Sequence, residues 1–251
     1  MPGISQLWVS TSIITRLLNG QQRGCATGFF FSDNESLYLV TNKHVIYGDN
    51  YENGQPAIDS ITLNLHTNPA NLTQNEEVTI PLFDGTARKW LEHTHPAVDV
   101  VLLHLNIDRT RFTIAPIDRT FMELTHQQGE IIVDDFEKIF VMGYPFGWYD
   151  HVNNLPITRI GHLSSPFKVP FQNMPLMMGD VTTHQGMGGG PVFMQLEDYT
   201  VQRGDGGRTK MLGLRKLLLV GINSGQFVTP EGRANLISIW FPEIILQILH
   251  P

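Results

Sequence analysis

Short runs of β-branched and aromatic residues, separated by polar turn residues, recur along the first third of the chain. The run 9–18 ends at Asn19-Gly20, two turn-forming residues. A second run, 28–31, meets the turn cluster 32–34 before the apolar run 37–41 begins. This spacing predicts antiparallel strands joined by short turns, a pattern typical of an all-β architecture.

The same pattern continues toward the C-terminus. Further strand candidates are 61–66, 78–82, 98–105, 138–143, 158–163, 191–194, 217–222 and 236–240. The polar, glycine-rich segment 202–210 is predicted to be the tip of a hairpin. Pro242 and Glu243 precede an apolar run. They predict a short closing helix over 244–249, because proline is favoured in the first turn of a helix.

A break in the strand pattern divides the chain into two parts. The segment from about 106 to 129 shows no strong alternation and carries Pro116, which favours a connection over a strand. We therefore predict an N-terminal unit over 1–115 and a C-terminal unit over 116–251.

Composition narrows the class of protein. The 251-residue chain is 41% hydrophobic, which is enough to bury a large core. Its 17 basic and 24 acidic residues give a formal charge of −7, and this charge disfavours binding to nucleic acid or to an anionic membrane surface. No apolar run approaches the roughly 18 residues of a membrane-spanning helix. From the charge and the absence of such a run, we expect neither a nucleic-acid partner nor a membrane.

Cysteine usage and the N-terminus indicate the compartment. Cys25 is the single cysteine, so an intramolecular disulfide is excluded and nothing indicates an oxidising environment. The first residues carry neither a basic segment nor a long apolar one, so we expect no signal peptide. A reducing cytoplasm is the expected location.

Three distant segments carry residues suited to acyl transfer. His44 follows an apolar run, Asp99 opens another, and 186–191 is a glycine-rich turn before a third. Acyl transfer needs a base beside the nucleophile, a carboxylate that orients the base, and backbone N–H donors aimed at the developing oxyanion. We assign His44 as the base and Asp99 as the orienting carboxylate. The N–H groups of Gly186 and Gly188 are assigned as the oxyanion hole.

Five short motifs lie around these segments: TGFFF, LVTNKHV, AVDVVLLHL, GYPFG and GINSGQ. Together they resemble the trypsin-like (chymotrypsin-fold) serine peptidases, especially the disulfide-free bacterial branch, over nearly the whole chain. The resemblance implies two antiparallel six-stranded-type β-barrels with a short C-terminal helix. The first barrel would carry His44 and Asp99, and the second would carry the oxyanion loop and the substrate pocket. A peptide or protein substrate is implied, and control by a regulatory protein partner is a further expectation.

One position departs from the pattern of that family. Where the family has Gly-x-Ser-Gly-Gly-Pro, this chain reads GMGGGP over 186–191, with Gly188 at the position of the nucleophilic serine. Loss of the nucleophile removes acylation and leaves a residual rate of about 10³–10⁴ over water. Two hypotheses stay open. The chain is either a serine endopeptidase whose serine was replaced, and so inactive, or a natural pseudopeptidase that acts as a peptide-binding, protein-binding or regulatory module. A third hypothesis, a structural or interaction domain with no working cleft, would require a collapsed oxyanion loop and an occluded pocket.

The resemblance also implies a specificity pocket made of polar residues. Its predicted lining is Thr182, Thr183, Asn223, Ser224 and Gly225. This set predicts an uncharged pocket without the buried acid that would select arginine or lysine. His184 has two open interpretations, contact with substrate or capping of the glycine-rich loop.

Two other candidates have ordinary explanations. The resemblance places Cys25 near the rim of the site rather than at the attack position, and a lone cysteine is usually a small buried hydrophobe. His93 and His95 have ligand-like spacing, but they lie in a polar loop without a third ligand. We therefore expect no metal and no cofactor.

Overall fold

The computed structural model describes residues 5–48, 54–229 and 232–251. Residues 1–4, which belong to the region where we expect no signal peptide, lie outside the described residues. The strands are β1 Thr11–Leu18, β2 Gln21–Asp33, β3 Ser36–Thr41, β4 Ser60–His66, β5 Asn75–Pro81, β6 Phe83–Asp84, β7 Ala87–Arg88, β8 Trp90–Glu92, β9 Val101–His104, β10 Thr125–His126, β11 Gly129–Ile132, β12 Lys138–Gly143, β13 Ile157–Leu163, β14 Leu176–Asp180, β15 Pro191–Glu197, β16 Thr200–Gln202, β17 Arg208–Lys210, β18 Arg215–Thr229 and β19 Gly232–Trp240. Two short α-helices are α1 Lys43–Tyr47 and α2 Glu243–Leu249.

The N-terminal strands form one seven-stranded antiparallel sheet, in the order β5-β4-β1-β2-β3-β9-β8. The hairpin between β1 and β2 turns at Asn19 and Gly20, whose φ angles are 53° and 74°. Glycine and asparagine tolerate this left-handed conformation better than other residues. The turn predicted there is therefore explained by the two residues that occupy it.

The C-terminal strands close into a six-stranded antiparallel barrel of β12, β13, β14, β19, β18 and β15. Its interior is filled by a cluster of buried apolar side chains that includes Val141, Met177, Val192 and Ile239. Helix α2 follows β19, as predicted, and buries Ile244, Ile245 and Ile248. The predicted all-β class with a short C-terminal helix is confirmed.

The phenylalanine run in β2 joins the two halves of the molecule. Phe30 packs into the core of the N-terminal sheet. Phe29 and Phe31 lie on the opposite face, because side chains alternate along a strand, and they pack in a second cluster with Phe193 of the barrel and Ile245 of α2. A strand buried on both faces reads as a continuous apolar run, which explains the sequence FFF.

A small four-stranded sheet, in the order β10-β11-β16-β17, pairs strands at the end of the connection between the halves with a hairpin inserted between β15 and β18. The predicted hairpin tip at 202–210 is the β16–β17 hairpin, in which Gln202 pairs with Arg208. The boundary between residues 115 and 116 stays a prediction; both residues lie between β9 and β10. In the described ranges, neither α-helix has the length and apolar character needed to span a membrane.

Candidate active site

Asp99 and His44 meet through both oxygens of the carboxylate. Oδ1 of Asp99 accepts the backbone N–H of His44 at 2.9 Å, and Oδ2 lies 2.7 Å from His44 Nδ1. The short helix α1, which the strand pattern did not predict, turns the chain after β3 so that both contacts form. Because Nδ1 is held by the carboxylate, Nε2 is the nitrogen that faces away from it.

Two more donors fix the same aspartate. The Ser224 hydroxyl donates to Asp99 Oδ2 at 2.5 Å, and Asn42 Nδ2 donates to the Asp99 backbone carbonyl at 2.8 Å. Asp99 is only 4% exposed, and a buried carboxylate needs such partners to remain charged. Ser224, predicted only as a pocket residue, therefore also supports the carboxylate.

Gly188 of the C-terminal half faces the imidazole of the N-terminal half. A Cβ atom built on Gly188 would lie 3.2 Å from His44 Nε2 and 3.0 Å from Asn42 Oδ1. The φ angle of Gly188 is outside the left-handed region, unlike those of Gly186 at +94° and Gly189 at +83°. The backbone at 188 therefore accepts a side chain, and that side chain would point at His44.

The loop 186–190 is held from beneath by Thr27 of β2. The Thr27 N–H donates to the Gly188 carbonyl at 3.0 Å, and its hydroxyl donates to the Gly186 carbonyl at 2.7 Å. With these carbonyls turned inward, the N–H groups of Gly186 and Gly188 donate no hydrogen bond to any described residue. Both glycines line one cleft, and two N–H donors that meet there can bind the oxygen of a polarised carbonyl.

Asn223 holds the loop from the other side. It is fully buried, and its Nδ2 donates to the Met187 carbonyl at 2.8 Å. Its backbone carbonyl accepts the Gly189 N–H at 2.8 Å, and its backbone N–H donates to the Gly190 carbonyl at 2.9 Å. The structure therefore places Asn223 behind the loop, where it supports the backbone.

A cleft of about 550 Å³ opens over these groups. Its lining is Arg16, Cys25, Ala26, His44, Val45, Phe146, Thr183, His184, Gln185, Gly186, Gly188, Ser224, Gly225 and Gln226. Of the predicted pocket residues, Thr183, His184, Ser224 and Gly225 are in this lining, whereas Thr182 and Asn223 are not. Thr182 is exposed, and its carbonyl accepts Arg159 Nε at 3.0 Å.

His184 caps the glycine-rich loop through its backbone, and its ring lies beside the cleft. Its ring stacks on Phe146 with centroids 4.8 Å apart, at the edge of the cleft. Its backbone carbonyl accepts the Met187 N–H at 3.1 Å, which closes the first turn of the glycine-rich loop. A contact of the ring with substrate stays a prediction.

A protein-family match covers more than half of the chain. The sequence matches the trypsin-like peptidase domain over residues 26–198. The chain belongs to this family. No curated protein matches it significantly.

Solved structures of peptidases are similar to this trypsin-like domain at low sequence identity. One is a serine-to-alanine mutant of Rv3671c from M. tuberculosis H37Rv in an inactive form, with 14% identity, TM-score 0.48, and coverage of 96% of this chain and 84% of that one. The Rv3671c protease in an inactive form has 16% identity, TM-score 0.47, and coverage of 96% and 87%. A variant of the HtrA-type protease AlgW with a tripeptide has 16% identity and TM-score 0.47; 98% of this chain matches 62% of that one.

Cys25 of the trypsin-like domain lies at the rim of the cleft. Its Sγ is 3.3 Å from the Cβ position of Gly186 and 3.1 Å from that of Gly147. Burial raises the pKa of the thiol above its usual value, and the nearby charge of Arg16 only partly opposes this. A protonated thiol is a weak nucleophile, so the environment of Cys25 does not favour attack.

His93 and His95 take part in local loop contacts. His93 Nδ1 accepts the His95 N–H at 3.0 Å, and His95 Nδ1 accepts the Ala97 N–H at 3.3 Å. Within the ranges that the structure describes, no three His, Cys, Asp or Glu side chains are grouped so as to hold a metal ion.

Glu92 of β8 anchors the helix that carries His44. Its Oε2 pairs with Lys43 Nζ at 3.0 Å, and its Oε1 accepts the Tyr47 hydroxyl and Trp90 Nε1. Burial acts to raise the pKa of Glu92, but the hydrogen bonds from Tyr47, Lys43 and Trp90 outweigh it and hold the pKa below its usual 4.5. Burial, together with the hydrogen bond to Glu92, raises the pKa of Tyr47 to about 12, so this hydroxyl remains a donor.

We expect Glu92→Gln to destabilise the domain by about 1–2 kcal/mol at pH 7, since hydrogen bonds to a charged acceptor are lost. A carboxyl whose pKa is lowered by folding contributes stability above its unfolded pKa, and this contribution is lost as the pH falls. The difference in unfolding free energy between the parent chain and Glu92→Gln therefore shrinks below about pH 4.5. Urea unfolding at pH 7 and pH 3.5 measures this difference. Glu76→Gln, which removes the exposed pair with Arg111, is the control and changes stability by less than about 0.5 kcal/mol. A Glu92→Gln effect that is equal at both pH values would contradict this assignment.

Gly189→Ala is expected to destabilise the loop strongly. The new Cβ would lie 2.2 Å from the Thr27 carbonyl oxygen and 2.3 Å from Thr41 Oγ1, at a φ of +83°. Gly206 has the same φ of +83° but no atom within 4 Å of its Cβ position, so Gly206→Ala isolates the conformational cost of about 1 kcal/mol. We expect Gly189→Ala to cost about 3 kcal/mol or more in unfolding free energy. Equal costs for the two variants would show that the loop is not packed as described.

Proposed function

We propose that this domain is a serine endopeptidase in a form that lacks its nucleophile. The observation that carries the proposal is the 3.2 Å between His44 Nε2 and the Cβ position of Gly188. A serine at 188 would bring its hydroxyl within hydrogen-bonding reach of an imidazole whose other nitrogen is held by Asp99. That arrangement is the one that acyl transfer requires.

The geometry supports a two-step hydrolysis for the serine form. His44 Nε2 takes the hydroxyl proton as the oxygen attacks the scissile carbonyl, and the charge on the carbonyl oxygen is bound by the N–H groups of Gly186 and Gly188. The protonated imidazole, stabilised by Asp99, then gives that proton to the leaving amine. Water repeats the sequence on the acyl intermediate, with His44 again as the base. In the chain as written, the first step has no attacking atom, so we infer that it is inactive.

Asn42 adds support for a lost hydroxyl. It is fully buried, its Nδ2 is held by the Asp99 carbonyl, and its Oδ1 has no hydrogen-bond partner in the described structure. This oxygen lies 3.0 Å from the Cβ position of Gly188. A buried acceptor without a donor costs about 1–3 kcal/mol. The one proton of a hydroxyl at 188 can satisfy this oxygen only in the rotamers in which it does not donate to His44.

The function is tested by exposing a mixed peptide library to the Gly188→Ser chain. We expect new peptide termini to accumulate with this chain and not with the parent. Mass spectrometry of the products also gives the residues on each side of the cleaved bond. A folded Gly188→Ser chain that cleaves no peptide and does not react with a fluorophosphonate would remove the endopeptidase proposal.

The alternative is a natural pseudopeptidase that binds peptides or proteins in the same cleft. It is favoured by two exposed aromatic side chains: Phe146, which lines the cleft, is 65% exposed, and Trp148, two residues further along the chain, is 71% exposed. Exposed apolar groups of this kind often mark contact surfaces. The codon at position 188 of the native gene separates the two proposals: a serine codon favours the endopeptidase, and a glycine codon favours the binding module.

The remaining properties follow from charge and composition. A net charge of −7 favours a peptide or protein partner over nucleic acid or an anionic membrane. A regulatory protein partner would have the exposed side chains of Phe146 and Trp148 to bind. A cytoplasmic location of bacterial type is proposed on the single cysteine.

A further inference from the structure

A glutamine side chain crosses the cleft at one end. Gln226 lies on β18 two residues beyond Ser224, and its side-chain Nε2 donates to the backbone carbonyl of Thr183 at 2.9 Å. Segments 183–186 and 224–226 both line the cleft. The Gln226 side chain therefore connects the two segments that border this end of the cleft.

The position of this contact matters for a bound peptide. If the N–H groups of Gly186 and Gly188 hold the scissile carbonyl, one end of the cleft receives the side chain before the scissile bond. We assign the pocket for this side chain to the end of the cleft between Thr183 and Gln226, since Cys25, Ala26 and Phe146 line the rest of the cleft. This inference rests on the proposed function. A large side chain would enter there only by breaking the hydrogen bond between Gln226 and Thr183.

Thr183 gives an independent sign that this end of the cleft takes a ligand. The residue is 1% exposed, lines the cleft, and its Oγ1 has no hydrogen-bond partner among the described residues. None of the described residues that line the cleft is Asp or Glu. The pocket thus offers polar groups but no carboxylate to attract a basic side chain.

We propose that Gln226 bars this pocket, so that the domain selects peptides with a small, uncharged side chain, of alanine or serine size, before the scissile bond. A small side chain fits while the hydrogen bond between Gln226 and Thr183 remains. A phenylalanine side chain must displace the amide, which leaves the buried Thr183 carbonyl without its donor. Losing one such bond corresponds to about tenfold in affinity.

Binding to the chain as written tests this directly. Without a nucleophile the chain cannot form an acyl intermediate, so tetrapeptides that differ only in a final Ala, Ser or Phe can be compared by calorimetry. Each ends in a free carboxylate able to accept from the N–H groups of Gly186 and Gly188. We expect the Ala and Ser peptides to bind at least tenfold more tightly than the Phe peptide. In Gln226→Ala, the Phe peptide should gain about tenfold while the Ala peptide changes less than threefold.

Two further variants keep the result interpretable. Gln226→Glu has nearly the same size but cannot donate to the Thr183 carbonyl, so it should also admit the Phe peptide. Gln195→Ala removes an exposed glutamine of β15 that is not part of the cleft lining, and should leave all three affinities unchanged. Two results would overturn the proposal that Gln226 bars the pocket. One is equal binding of the Ala and Phe peptides to the parent chain, and the other is a ratio of Ala to Phe affinities that is unchanged in both Gln226 variants.

Failure of the proposed function has a different signature. It shows as a Gly188→Ser chain that does not cleave, whereas the binding ratios use no catalysis. If the affinity ratios shift as expected but the Gly188→Ser chain is inactive, the pocket barred by Gln226 is a peptide-binding site without catalysis. A complete lack of binding by every peptide to every variant overturns the pocket itself.

Discussion

Replacing Gly188 with serine raises the rate of ester and peptide hydrolysis by about 10⁴-fold or more over the chain as written. In serine peptidases, removal of the nucleophile costs on the order of 10⁶ in kcat, and the remaining groups at this site are already in place. The Cβ position is 3.2 Å from His44 Nε2, and the backbone at 188 carries no left-handed φ that would resist a side chain. The 3.0 Å approach to Asn42 Oδ1 requires a shift of only a few tenths of an ångström.

Hydrolysis of activated esters with small acyl groups measures this gain. Gly188→Ala is the matched control, because it adds the same Cβ against Asn42 and His44 but no hydroxyl. A gain in both variants would assign the effect to loop packing instead of a nucleophile. No gain in a folded Gly188→Ser chain would mean that the imidazole is not positioned as described.

Asp99→Asn in the Gly188→Ser background lowers kcat by about 10⁴-fold near neutral pH. The Asp99 carboxylate accepts from the backbone N–H of His44 at 2.9 Å and holds its Nδ1 at 2.7 Å. An amide of the same shape can present an N–H to Nδ1, which selects the other imidazole tautomer and leaves Nε2 unable to act as a base. The effect should therefore fall on kcat more than on KM.

Steady-state kinetics on the two chains checks this prediction. Ser224→Ala in the same background removes the 2.5 Å hydrogen bond to Asp99 Oδ2 but leaves the carboxylate, so a much smaller loss is expected. A larger loss for Ser224→Ala than for Asp99→Asn would show that the carboxylate is not the orienting group. A tenfold or smaller loss for Asp99→Asn would have the same meaning.

The sequence predicted the strands well wherever one run of apolar residues forms one strand. The strand 138–143 is β12 with the same bounds, and the closing helix is α2. The helix α1 was missed because it spans only five residues, too few to show a helical period. The strand β14, Leu176–Asp180, was missed because its methionines carry no strong β preference.

The residues at the centre of the site could be predicted from the sequence, but the residues that hold them in place through hydrogen bonds could not. His44, Asp99 and Gly188 lie in motifs whose order is informative, and the structure brings all three together. Thr27 and Asn42 lie inside the motifs TGFFF and LVTNKHV, yet their roles depend on hydrogen bonds to residues far along the chain. Contacts of this kind leave no local period in the sequence.

The pocket shows the same limit. Polar residues near 182–184 and 223–225 predict its character, but side-chain direction decides its lining. Asn223 turns behind the loop, Thr182 is exposed, and Gln226 crosses the opening. A strand with register shifts, such as β18 between Asn223 and Gln226, does not keep the simple alternation from which facing can be read.

The site is tested most directly by mass spectrometry of the Gly188→Ser chain after treatment with a fluorophosphonate. One adduct per chain, mapped to position 188 and abolished by His44→Ala, is the result expected if the imidazole, the carboxylate and this corner of the backbone converge. A folded Gly188→Ser chain that stays unmodified, or an adduct that forms equally well without His44, would contradict that convergence.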